Sequence, residues 1–249
     1  MESLNVETKD FVRLLSTLRV TAYPKPDDDL LYGICLVSTR GEVGELPGET
    51  DVLSGFSSMG SVVGHTFCGS TGALQRPLFL SLDSVDVILG MWEAVARKIK
   101  PDDEHTLDVI IDRDASTVTV REYNVDGPSP SDRKQTVPCV DYTEFPVESI
   151  ARLIDGTAGS DVIKDKDGND LPVGALTMFN PEHLALLGKL GKKLKSEVRF
   201  YRSKHPASIL QLSVGENWRG AVTAAKYEAF ENPNDPKAEA ALPVFEYQS

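Results

Sequence analysis

The chain has 249 residues, 41% of them apolar, and 38 Asp and Glu against 26 Lys and Arg leave a net charge of −12. That length supports one large or two ordinary domains, each burying a core without staples. The composition excludes a helical membrane span, since no apolar run approaches the roughly 18 residues needed, and it excludes the generally basic surface usual in proteins that neutralise phosphates.

Three cysteines, Cys35, Cys68 and Cys139, are odd in number, far apart and form no C-x-x-C pair. Reduced structural thiols in a cytoplasmic protein are expected. Met1–Val6 lacks the basic and apolar regions of a signal peptide, in keeping with that location.

In chain order, Glu7–Leu18 reads as a first helix, with Phe11, Leu14, Leu15 and Leu18 on its apolar face, Lys9, Arg13 and Ser16 opposite, and Arg19 just beyond. Leu30–Thr39 is a strand. The Gly- and Ser-rich stretch 41–72 reads as sheet with loose loops, with strands at 51–56 and 61–67; it lacks the Gly-Lys-Ser/Thr ending of a phosphate loop. Leu78–Leu80 is a short strand, and Ser84 is placed to cap a helix with Val85, Ile88, Leu89, Trp92, Val95 and Ile99 inward and Arg97, Lys98 and Lys100 at its basic end. Thr106–Ile111 and Ser116–Glu122 alternate around Asp112-Arg113-Asp114-Ala115 as a hairpin.

The Pro-, Ser- and Asp-rich run from Tyr123 marks an exposed connector, giving an N-terminal domain 1–123, a connector 124–144, a C-terminal domain 145–231 and a tail 232–249. Glu148–Asp155 is a short helix with Ile150, Leu153 and Ile154 inward and Arg152 free. Residues 165–170 resemble the start of a calcium loop, but with Gly168 at the obligatory glycine Ile163 would be the first ligand, so a turn fits better. Asn180 then caps a helix with Pro181 at its first position. Leu184, Leu187, Leu190 and Leu194 form its apolar stripe, with Lys189, Lys192, Lys193 and Lys195 on the other sides. A hairpin (198–200, 209–214) and a strand from Ala221 to Tyr227 follow. Strand, basic-ended helix and hairpin thus occur twice, about 100 residues apart, which implies two related halves.

Between Lys189 and Lys204 seven basic residues face one acid, Glu197, whereas the acidic runs 27–29, 102–104 and 165–167 fall in loops. Any solvated helix face carries lysine, so one such helix decides nothing; the recurrence of basic helices in an acidic chain is the informative feature. Four scattered histidines, with no H-E-x-x-H and no G-x-S-x-G, give no catalytic constellation.

Two α+β units, each with an opening helix and a second helix before its closing strands, and with basic residues on all four helices, resemble the DNA sliding clamps. Leu4-Asn5-Val6-Glu7-Thr8-Lys9-Asp10-Phe11 resembles a clamp domain's first strand and helix, Thr177–Leu184 the entry to a second helix, and Ile209–Tyr227 the closing strands. The two helices of the second half are much closer in sequence than those of the first, so that half is expected to lack or shorten strands. The resemblance implies an α+β fold of two clamp-like domains, each with two helices packed on antiparallel sheet. It also implies a homotrimeric ring of six domains around duplex DNA, as in archaeal, eukaryotic and T4-like phage clamps, with DNA polymerase and clamp loader as partners in a bacterial or phage-infected cell. No cofactor, metal or chemical step is implied. The DNA-facing residues would be Lys9, Arg13, Arg19, Arg97, Lys98, Lys100, Arg152, Lys189, Lys192, Lys193 and Lys195. A peptide groove on the outer face would be lined by Val137, Val140, Tyr142, Leu242, Val244 and Phe245. A monomeric adaptor of similar fold and a hydrolase with a dispersed carboxylate pair are the alternatives.

Overall fold

In the computed structural model, which describes residues 2–26, 31–41, 50–100, 103–123, 133–141, 144–155, 180–201 and 209–223, the apolar patterns become a strand, a helix and three strands, twice over. β1 (Glu2–Glu7), α1 (Thr8–Thr21), β2 (Gly33–Gly41), β3 (Thr50–Ser58) and β4 (Val62–Thr71) are the first set; β5 (Leu78–Ser81), α2 (Leu82–Ala96), β6 (Thr106–Asp112), β7 (Thr117–Glu122) and β8 (Lys134–Pro138) are the second. The duplication is therefore tighter than the 100-residue spacing suggested: both copies lie within residues 2–138. β8 falls inside the stretch expected to be connector, where Lys134–Pro138 pairs antiparallel with Thr117–Arg121. After it come α3 (Val147–Asp155), α4 (Pro181–Leu194), β9 (Val198–Tyr201), β10 (Ile209–Val214) and β11 (Trp218–Thr223).

Helix ends follow local chemistry. Asn180 Oδ1 accepts from the Glu182 N–H at 2.9 Å, and Pro181 occupies a position whose missing N–H is not needed. For α2 the capping residue is Ser81 rather than Ser84: its Oγ accepts from the Ser84 N–H at 3.3 Å, while the Ser84 hydroxyl donates to the Pro138 carbonyl at 2.9 Å, tying α2 to the end of β8. The helix stops at Ala96, so Arg97, Lys98 and Lys100 follow it rather than form its last turn. On α1, Ser16 is buried rather than exposed, and its hydroxyl donates to the Arg13 carbonyl at 3.3 Å, which satisfies it within the helix.

The strands run β5-β2-β3-β4-β1-β6-β7-β8, each pair antiparallel, and two hydrogen bonds between Phe79 and Val140 (2.8 and 3.0 Å) link the ends of that path. One edge of β4 is shared. Its last residues, Ser70 and Thr71, pair with Val6 and Asn5 of β1, while Val62–Thr66 pairs with Trp218–Val222 of β11. Through β11, β10 and β9 the second half thus extends the sheet of the first.

Alternation along the strands decides which helix covers which face. Ile34, Leu36, Leu53 and Cys68 face a core with Phe11, Leu14, Leu15 and Leu18 of α1 and Val85, Ile88, Leu89 and Trp92 of α2. Val62 and Val222 lie under Leu187 and Leu190 of α4. Their neighbours Val63 and Ala221, with Cys35 and Phe56, point the other way and meet Ile150 of α3 and Phe145. α1, α2 and α4 therefore share one face of the sheet, and α3 lies across it, against β3, β4, β10 and β11.

Candidate nucleic-acid interface

Three amphipathic helices side by side leave their polar flanks pointing away from the sheet. α1 packs against both α2 and α4. Over residues 8–21, 82–100 and 181–195, ten Lys and Arg stand against five Asp and Glu, in a chain whose net charge is −12. This face is the place where positive charge concentrates. The surplus comes from α1 and α4, since α2 itself contributes only Asp83, Asp86 and Glu93 and its cations follow it.

The structure brings Lys9, Arg13, Arg97 and Lys193 together around a groove of about 480 Å³ between the three helices, with Glu93 as its acidic lining residue. The Lys9 ammonium donates to the Lys100 carbonyl at 2.9 Å, joining α1 to the chain beyond α2. Several of these cations already have carboxylate partners. Arg13 meets Asp10 at 2.9 Å, Arg97 meets Glu93 at 3.1 Å, and Lys193 reaches the other oxygen of Glu93 at 3.6 Å. Arg19 is gripped by both oxygens of Asp86, one at 2.7 Å from Nη2, and these bonds push its pKa further up so that it stays charged. Among the described residues Lys98, Lys100, Lys189, Lys192 and Lys195 have no ion-pair partner and lie exposed. The carboxylate pairs of Arg13, Arg19, Arg97 and Lys193 are partly exposed, and surface pairs are worth about 0–1 kcal/mol each, so a competing phosphate can displace them.

Arg152 does not join this set. α3 lies across the sheet, because the outward apolar residues of β2–β4 and β11 give its greasy face a seat there, and Arg152 is exposed on that opposite side. The expected peptide-groove residues also separate. Val137 is 2% exposed and packs in the α1/α2 core as an inward residue of β8, whereas Val140 is 50% exposed. Tyr142, Leu242, Val244 and Phe245 lie outside the described residues. A groove of about 540 Å³ does open on the α3 side, lined by Val37, Pro77, Phe145, Pro146 and Val147 with Glu144 and Glu148 at its rim.

The sequence reading missed the carboxylates. Asp10 and Arg13, or Glu93 and Arg97, are separated by the three and four residues at which helix side chains meet, so those pairs were available from spacing. The Arg19–Asp86 and Lys193–Glu93 pairs join separate helices and required the tertiary structure. The three cysteines are buried and free, with burial pushing Cys35 and Cys68 up to about 12, which makes them packing residues rather than nucleophiles. No described helix is long and apolar enough to cross a membrane.

Neither a protein-family model nor a curated protein sequence matches the chain. Solved structures do. DNA polymerase III subunit beta from Pseudomonas aeruginosa superposes with a TM-score of 0.57 at 10% identity, over 97% of this chain and 68% of that one. The same subunit from Borrelia burgdorferi gives 0.57 at 9% identity, over 92% and 66%. A DNA polymerase sliding clamp from Caulobacter crescentus gives 0.56 at 10% identity, over 92% and 68%. The likeness is one of fold, and this chain spans about two thirds of the length of those neighbours.

Proposed function

We propose that this chain, which has the sliding-clamp fold, is a non-catalytic processivity factor that encircles duplex DNA and tethers a DNA polymerase, with a clamp loader to place it. The observation that carries the reading is one-sidedness: α1, α2 and α4 cover one face of a continuous sheet and hold the basic surplus of an acidic chain. A surface of mobile lysines aimed at phosphates holds duplex without reading bases, while the acidic remainder keeps nucleic acid off the outside.

Ring closure is assigned to the sheet edges. Among the described residues β5, β8 and β9 each have one strand neighbour; β5 and the end of β8 are linked by the Phe79–Val140 pair, and Phe200 and Tyr201 on β9 are 48% and 49% exposed. Pairing β9 of one copy with β8 of the next covers β9 and the free side of β8, and three copies of two units complete the six-unit ring that the clamp resemblance implies. Polymerase peptides would dock on the α3 side, in the groove beside Phe145 and Val147. The setting is cytoplasmic.

Light scattering across a dilution series tests the ring. A mass of three chains that persists on dilution is expected; a stable monomer with no tendency to associate removes the ring and favours an adaptor of the same fold.

A further inference from the structure

The basic face is not simply basic. Glu93 sits on α2 where it touches a cation from its own helix end and one from α4, using a different oxygen for each: Oε2 meets Arg97 at 3.1 Å and Oε1 meets Lys193 at 3.6 Å. Among the described residues it is the single acid lining the groove with Lys9, Arg13, Arg97 and Lys193. Asp86 plays a like part for Arg19, accepting from its Nε and Nη2 with one oxygen each. Evolution of a tight phosphate-binding surface would leave such cations unopposed, because each one that meets a phosphate releases a counterion and adds affinity.

We propose that Glu93 is an affinity-limiting residue of the DNA-facing surface: it holds Arg97 and Lys193 when no phosphate is present and returns them when one leaves, which keeps the duplex loosely held and free to slide. This inference rests on the sliding-clamp reading above. The exchange is feasible because both pairs are partly exposed and therefore weak, with the Glu93 side chain 34% accessible. A phosphate reaching the groove meets two cations whose charge Glu93 already balances in part. The net gain per contact is small. Glu93 also spans α2 and α4, which come from the two halves of the chain, so a merely structural role, as a tie between helices, is the competing account.

The two accounts differ in what Glu93→Gln does. The test is fluorescence anisotropy of the full-length protein on a short blunt duplex over a range of salt, with thermal melting of the same samples. If Glu93 limits affinity, the Gln variant binds about threefold to tenfold tighter near 0.1 M salt, and its log–log salt slope steepens by about 0.9 for each cation set free. Asp86→Asn, which frees Arg19, moves affinity in the same direction. If Glu93 is only a tie, the variant melts earlier while affinity and slope stay put or fall, and the inference is overturned. Lys192→Glu with Lys193→Glu separates this failure from a larger one. If the wild type binds duplex and the lysine reversal abolishes it while Glu93→Gln changes nothing, only the role of Glu93 is lost. If the wild type itself does not bind, the sliding surface goes with it.

Discussion

The two halves of the chain bury their apolar surface in different ways. The first half holds the whole duplicated set, and its sheet path nearly closes on itself through the Phe79–Val140 pair. Its ends are fastened by Arg113, whose guanidinium donates to Glu2 at 3.1 and 3.3 Å, to the carbonyls of Arg76 and Pro77, and to Asp141. The second half has no comparable closure among its described residues. β9, β10 and β11 pair with one another and carry α3 and α4, but β11 also pairs with β4, α4 packs on α1, and α3 sits on β3 and β4, so the half's outer contacts run back to the first half. A self-closed unit can fold alone; one whose core is completed by its neighbour takes its stability from the seam between them.

Breaking the seam should therefore have the largest effect. Trp218 is 1% exposed in β11, and its ring packs closely on Gly64 of β4, where a Cβ would lie 3.0 Å from Trp218 Cζ2 and 2.5 Å from the Thr21 hydroxyl. Trp218→Ala empties that site and should cost about 3–5 kcal/mol. The loss should be confined to the second half. Hydrogen exchange, read peptide by peptide, should show α4 and β9–β11 opening while β1, β6 and α2 keep their protection. Equal loss in both halves would mean one cooperative fold and would end the comparison.

How much of this could be read from the sequence depends on what each pattern encodes. Leucine spacing and the Asn180-Pro181 start were enough to place α4, and period-two alternation gave β6 and β7 nearly to the residue. The side taken by α3 was not legible from α3 itself, since Ile150, Leu153 and Ile154 announce a greasy face without saying what it meets. A signal existed elsewhere. Ile34-Cys35-Leu36 and Val62-Val63 are apolar on consecutive positions, and a strand apolar on both faces needs cover on both. Val137 falls in the Pro- and Ser-rich stretch that reads as connector, and its pairing with Val118 is long-range and leaves no local mark.

The opposed faces of the second half offer a smaller but sharper contrast. Lys192 and Lys193 lie on α4 and Arg152 on α3, on either side of the sheet. Reversing the lysine pair to Glu should weaken duplex binding at least about tenfold and flatten its salt dependence, since two phosphate contacts are lost and two repulsions gained. Arg152→Glu changes charge in the same sense but faces away, and should leave affinity within about twofold by the same reasoning. Anisotropy titrations of both variants at one salt concentration decide it. Comparable losses would show that net charge, not the face, governs binding, and the one-sided interface would have no support.

The smallest expected effect concerns acid, and it also separates the halves. His65 lies on the α3 side of β4, its ring 4.6 Å from that of Phe56 and 6.3 Å from that of Phe67, with Arg219 of β11 and Asp155 of α3 as the charges facing it. Burial, reinforced by Arg219 and opposed by Asp155, lowers its pKa from 6.5 to about 4. The folded chain thus keeps this imidazole neutral where the unfolded chain protonates it. Stability from this group is complete above pH 6.5 and declines as pH falls toward about 4. Glu2, in the first half, behaves differently. Burial alone would raise its carboxyl, but hydrogen bonds from Arg113 and the Gln75 N–H, with the charges of Arg113 and Arg76, bring it below the ordinary 4.5, so its contribution is lost only at lower pH still. Between pH 6.5 and 4.5 the seam should weaken while the Arg113 fastening holds. The two tryptophans report the halves separately, Trp92 in the first core and Trp218 at the seam. Urea midpoints followed with Trp92→Phe, which leaves Trp218 as the reporter, should fall between pH 7 and pH 5, and adding His65→Phe should remove most of that fall. If the pH dependence survives the loss of His65, another group titrates at the seam, and acid ceases to distinguish the second half from the first.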